Sequence, residues 1–72
     1  MKTLLLMRHA KSEWGDPGVA DHDRNLNSRG LSAAPQMAAW IAECNLLPAY
    51  VLCSTARRAH HTAQLVSEAL EL

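Results

Sequence analysis

Two cysteines, Cys44 and Cys53, are all the thiol chemistry the 72 residues carry. A pair is no disulfide framework of the kind that staples small secreted domains, so both thiols are expected reduced, in a cytoplasm. An excess of one charge is also missing: seven Lys and Arg oppose seven Asp and Glu, for a formal net charge of zero. Nucleic-acid binders usually carry a basic stripe, so nucleic acid is not an expected partner, and no charged tail is present either. No apolar run approaches the ~20 residues of a membrane span, which argues against a membrane partner. The opening run Leu4-Leu5-Leu6-Met7 meets Arg8 and His9 too soon for a signal peptide. Nothing repeats, and no segment is of low complexity.

What is present is a composition that folds. Hydrophobic residues make up 49%, too many for a disordered chain. The length allows one small domain, of a size that is marginal by itself.

Four elements follow from the pattern. Residues 2–7 form an apolar run without alternation, as in a strand buried on both faces. The next twenty or so residues, to Asn27, are polar and hold Gly15, Asp16-Pro17-Gly18 and Asn25, all loop signals. A helix is predicted over 28–44, with Asn27 or Ser28 as N-cap. On its wheel Leu31, Ala34, Met37, Ala38, Trp40, Ile41 and Cys44 share one half. Pro35 should kink this helix, and Gly30 should weaken its first turn. After a connector, residues 49–53 form a second apolar run of strand length. Helical periodicity returns over 55–72.

Strand, helix, strand, helix reads as an α/β chain, a β-α-β-α unit with parallel strands and a right-handed crossover. Strands of this kind expect cover on two faces. Two helices cannot supply it, so residues 1–72 are expected to be a single, incomplete domain, part of a larger α/β fold or reliant on a partner, self-association included. Residues 68–72 contain no Gly or Pro stop signal.

In a parallel sheet the C-terminal strand ends share a rim, where ligands bind. Arg8 and His9 would leave the first strand there. Ser54 to Arg58 would leave the second strand there and open the last helix. Arginine forks match phosphate oxygens, and a helix N-terminus adds N–H donors and positive potential. The constellation reads as a phosphate site. The wheel separates Arg57 from Arg58. Thr62, Leu65, Ala69 and Leu72 fall within about 40° of Arg58, while Arg57, His60, Gln64, Glu68 and Glu71 occupy the opposite arc. Arg58 thus heads a core-facing row and needs an anion, either a ligand or the carboxylate of a structural ion pair. Arg57 heads the solvent stripe. His9 reads equally as a nucleophile toward phosphorus and as a core histidine bonded to backbone. His60 and His61 point about 100° apart and cannot chelate one metal together, and His22 falls in the loop. His61 lies about 60° from Arg58 and borders the site. No metal and no cofactor are expected.

These residues carry a resemblance. Leu4-Leu5-Leu6-Met7-Arg8-His9-Ala10-Lys11-Ser12 resembles the signature that opens the histidine phosphatase superfamily, which includes the cofactor-dependent phosphoglycerate mutases. The Arg-His-Ala-Lys-Ser form is most similar to the small phosphohistidine phosphatases. Asp21-His22-Asp23-Arg24-Asn25-Leu26-Asn27-Ser28-Arg29-Gly30 resembles the family's Asp-x-Asp-Arg-Pro-Leu-x-x-x-Gly loop, with Asn25 in place of proline. Ser54-Thr55-Ala56-Arg57-Arg58-Ala59-His60-His61-Thr62-Ala63 resembles its Ser-x-x-x-Arg-Ala-x-x-Thr-Ala segment. The likeness spans nearly the whole chain.

The resemblance implies the phosphoglycerate mutase-like three-layer α/β/α sandwich and a phosphatase without cofactor or metal. His9 would be transiently phosphorylated, and Arg8 and Arg58 would hold the phosphoryl oxygens, with Lys11, Ser12 and His61 at the pocket border. The substrate would be a phosphorylated protein or a small phosphate compound. Gly15 stands where the mutases carry a substrate-binding asparagine. The family's second histidine and acidic proton donor come from sequence beyond position 72, so the 72 residues alone are expected to bind phosphate weakly and turn over little. Among Glu13, Asp16, Asp21 and Asp23 the sequence does not choose a substitute acid. The alternative function is a non-catalytic module that holds a phosphorylated partner or serves assembly.

Overall fold

The structure is a computed structural model that describes residues 2–14 and 18–72. The loop signals Gly15, Asp16 and Pro17, and Asp16 as a candidate acid, lie outside the described residues. A 3-10 turn spans Asp21–Asp23, followed by helix α1, Ser28–Glu43, and helix α2, Arg57–Ala69.

Both helices are set by their ends. Asn27 caps α1, its side-chain oxygen accepting from the Gly30 N–H at 2.9 Å. The far end closes through Asn45, in the left-handed region at φ 58°. Asn45 N–H donates to Ala42 O at 3.1 Å and Leu46 N–H to Ile41 O at 3.1 Å. This is the Schellman arrangement, and it folds Leu46 back onto the core. The second helix ends the same way. Glu71 sits at φ 58°, with Glu71 N–H on Glu68 O at 3.1 Å and Leu72 N–H on Ser67 O at 3.0 Å. The absence of Gly or Pro over 68–72 therefore did not mean an open helix end. Ser54 prepares the start of α2, its hydroxyl accepting from the Ala56 N–H at 3.1 Å.

The core lies between the helices. Ala34, Ala38 and Ile41, spaced i, i+4, i+7 on α1, meet Val66 of α2, with Leu46, Leu65 and Leu70 packed around them. Alanines let the helices approach closely. Leu31, Met37, Trp40 and Cys44, expected on the same face, are exposed. One neighbouring helix covers a narrower stripe than half a wheel. The helix continues through Pro35, whose ring is exposed. Both cysteines are free. Among the described residues no helix is long and apolar enough to cross a membrane.

The expected α/β class does not hold. Residues 2–7 and 49–53 form no strand, so there is no parallel pair, no β-α-β-α unit and no three-layer α/β/α sandwich among the described residues. The chain is helical. Among the described residues the β-type pairing is one antiparallel bridge, Ser12 with Leu26. Continuous apolar runs become strands when layers cover both faces. Here Leu6 is 84% exposed and Leu52 98%, and two uncovered strands are not stable in water. The 13.0 Å radius of gyration exceeds the ~11 Å of a compact domain this long.

Replacing Asn27 with alanine is expected to lower stability by about 1 kcal/mol, the usual worth of such a cap. A shift of the urea midpoint at unchanged slope would show it.

Candidate functional site

The short segment that follows the first apolar run is held against both helices. Its Lys11 carbonyl accepts from Asn27 N–H, and Glu13 N–H donates to Asn25 O, both at 2.9 Å. Gly30 allows this approach: a Cβ built there would overlap the Lys11 carbonyl oxygen. The glycine expected to weaken α1 is the position where the helix backbone meets this segment. Ser12 is buried at the bridge to Leu26, and Lys11 is exposed.

One residue earlier, the segment is tied to α2. The Ala10 N–H donates to Thr62 Oγ1 at 3.0 Å, and the Thr62 hydroxyl donates to the Arg58 carbonyl at 2.7 Å. The buried Thr62 thus joins the His9-bearing segment to the turn of α2 that carries Arg58. The sequence pattern placed Thr62 in the same row as Arg58 but suggested no role for it.

His9 is half-buried. Its Nδ1 lies 2.7 Å from the Ala10 carbonyl. A carbonyl only accepts, so Nδ1 carries the proton, and in the neutral ring the lone pair resides on Nε2. That is the tautomer a phosphorus nucleophile needs. The backbone bond expected of a core histidine and the protonation expected of a nucleophile therefore coincide here.

Arg58 turns inward, with 17% of its side chain exposed. Its Nη1 donates to the Asp21 carbonyl at 2.6 Å and its Nη2 to Asp21 Oδ2 at 3.1 Å. The anion it meets is thus a carboxylate of the 3-10 turn. The Asp21 side chain is 70% exposed, so water screens the pair, which contributes no more than about 1 kcal/mol. The other carboxylate oxygen of Asp21 faces Arg24 Nη1 at 3.5 Å. The Arg24 guanidinium stacks over Trp14, 3.5 Å from the ring centroid. Sequence reasoning gave Arg24 no role. Its position three residues after Asp21 in the 3-10 turn is the signal that pairs them.

Other expected residues are placed apart. Arg8 is exposed and has no hydrogen bond or ion pair among the described residues. Arg57 is exposed, as its wheel position indicated, and reaches Asn25 Oδ1 at 3.5 Å. His61 is half-buried and lines an open cleft of ≈ 480 Å³ with His22, Asn25, Thr55, Arg57 and His60. That cleft follows the polar side of α2 and includes neither His9 nor Arg58. Among the described residues no three His, Cys, Asp or Glu side chains cluster to hold a metal ion.

The chain is similar to several known proteins. The chain is 53% identical over 58 residues to an uncharacterised protein of Mycobacterium tuberculosis, covering 78% of this chain and 35% of that one. It is 41% identical over 64 residues to a 2,3-bisphosphoglycerate-dependent phosphoglycerate mutase of Cutibacterium acnes, covering 86% and 26%. The SixA structure from Agrobacterium tumefaciens superposes with a TM-score of 0.83 at 38% identity, over 90% of this chain and 42% of that one. The protein histidine phosphatase SixA complexed with tungstate gives a TM-score of 0.81 at 29% identity, over 92% and 41%. The chain thus spans between about a quarter and about two fifths of the length of these relatives. The model of the histidine phosphatase superfamily (branch 1) matches residues 4–72, and by that match, which takes in Arg8, His9 and Arg58, the chain belongs to this superfamily.

Proposed function

We propose that these residues form the phosphoacceptor part of a phosphatase domain that is longer than 72 residues, acting on a phosphohistidine-type substrate or a small phosphomonoester. The observation that carries this is the coupling of His9 to Arg58 through Thr62, with the His9 ring in the tautomer that leaves Nε2 free. His9 is the nucleophile. Arg58 and Arg8 hold the phosphoryl oxygens, and Lys11, Ser12 and His61 border the pocket. The relative solved with tungstate holds a tetrahedral oxyanion of phosphate shape, which supports an oxyanion as the ligand.

The reaction has two steps. His9 Nε2 attacks phosphorus in line. A new P–N bond forms as the bond to the leaving group breaks, and that group departs with a proton taken from solvent water. The arginines offset charge on the equatorial oxygens. Water then attacks the phosphohistidine, releasing inorganic phosphate and returning the free imidazole. An imidazole leaving group needs less proton donation than an alcohol, so a phosphohistidine substrate relies less on a carboxylic acid beside the pocket.

The test is the first step alone. Incubation with radiolabelled phosphoramidate, whose P–N bond resembles that of phosphohistidine, is expected to leave an acid-labile, alkali-stable label that peptide mapping locates at His9. Saturable phosphate binding without any label would instead favour the non-catalytic module.

A further inference from the structure

We propose that Arg24 is a third phosphate-binding guanidinium, and that the Asp21 carboxylate sits where phosphoryl oxygens would be held between Arg24 and Arg58. The proposal rests on the phosphatase reading and extends its site to the 3-10 turn.

Two guanidinium groups share one carboxylate. Arg58 Nη2 is 3.1 Å from Oδ2 and Arg24 Nη1 is 3.5 Å from Oδ1. The carboxylate is too small for the donors around it. Arg24 Nε, Arg24 Nη1 and Arg58 Nε are shielded from solvent and have no hydrogen-bond acceptor. The 3.5 Å ion pair to Arg24 is thus a charge contact without a hydrogen bond. Buried donors without acceptors are uncommon in folded proteins. A carboxylate presents its oxygens in one plane, whereas a phosphoryl group presents three around a tetrahedral centre and can accept from both forks at once.

The geometry lets the exchange occur without rebuilding the site. Arg24 is oriented by stacking on Trp14, independently of Asp21. Arg58 keeps its bond to the Asp21 backbone carbonyl when the carboxylate swings away. The Asp21 side chain is 70% exposed, so water lies on its exit path. Arg24 and Asp21 bracket one tight turn, Arg24 N–H donating to Asp21 O at 3.2 Å, so an oxyanion replacing the carboxylate arrives beside Arg24.

Tungstate titration of the 72-residue chain, followed by calorimetry and by the Arg24 Nε–H resonance in ¹⁵N-edited NMR, tests this. Tungstate is expected to shift the Arg24 Nε–H resonance of the unmodified protein, a readout that a merely structural arginine would not give. Asp21→Asn should tighten tungstate binding severalfold by removing the competing anion. Arg24→Met should weaken it about tenfold, and the exposed Arg57→Gln should leave it unchanged. An unmoved Arg24 resonance during saturable binding, with Arg58→Met alone weakening affinity, overturns the role of Arg24 and leaves the phosphatase reading intact. Absence of tungstate binding in both the unmodified protein and Asp21→Asn overturns the two together.

Discussion

Replacing Thr62 with valine is expected to lower the rate of His9 labelling by phosphoramidate about 100-fold. Valine keeps the shape of threonine but removes the one atom that accepts from Ala10 N–H and donates to the Arg58 carbonyl. Ala10 then presents an unpaired, half-buried N–H, which costs about 1–3 kcal/mol unless the segment shifts to find water. A shift of about 1 Å between nucleophile and phosphate clamp is enough for a 100-fold loss in rate. Serine at the same position retains the hydroxyl and should restore most of the rate, although it also loses buried methyl volume. The pair of variants separates positioning from stability: if labelling follows the unfolding midpoint, rather than the presence of the hydroxyl, Thr62 is only a packing residue.

Gly30→Ala sets two effects of opposite sign against each other. Alanine improves helix propensity by about 1 kcal/mol. The added Cβ, however, would meet the Lys11 carbonyl oxygen, with the Lys11 N and C atoms at 3.0 and 3.1 Å. These are backbone atoms, which cannot rotate aside, and overpacking of this kind costs about 1–3 kcal/mol. The Lys11 carbonyl is also the acceptor for Asn27 N–H, so displacing it loosens the N-cap of α1 as well. A net loss of about 1–2 kcal/mol in urea unfolding is expected, with faster hydrogen exchange at Asn27 and Glu13. An alanine variant more stable than the parent would show that the segment yields at no cost.

The helices were legible because their signals are local. Asn27 three residues before Gly30, the alanine and isoleucine spacing on α1, and the polar arc headed by Arg57 each act within a few turns of chain. The strands were not. An apolar run such as Leu4-Leu5-Leu6-Met7 records that a surface is to be covered, but a ladder and its covering layers come from elsewhere in space, and among the described residues all four side chains stay exposed. The left-handed closures at Asn45 and Glu71 were missed because no glycine marks them.

The candidate site divides along the same line. Family membership and the inward course of Arg58 follow from residue order, since a motif and a helical period are properties of the chain itself. Contacts between segments far apart in sequence belong to the tertiary structure: the Thr62 link, the fit of Gly30 against Lys11, and the convergence of Arg24 and Arg58 on Asp21. Those arise where a turn, an extended segment and two helices meet, and hydrogen bonds of about 3 Å are decided by that meeting and by nothing in the local sequence.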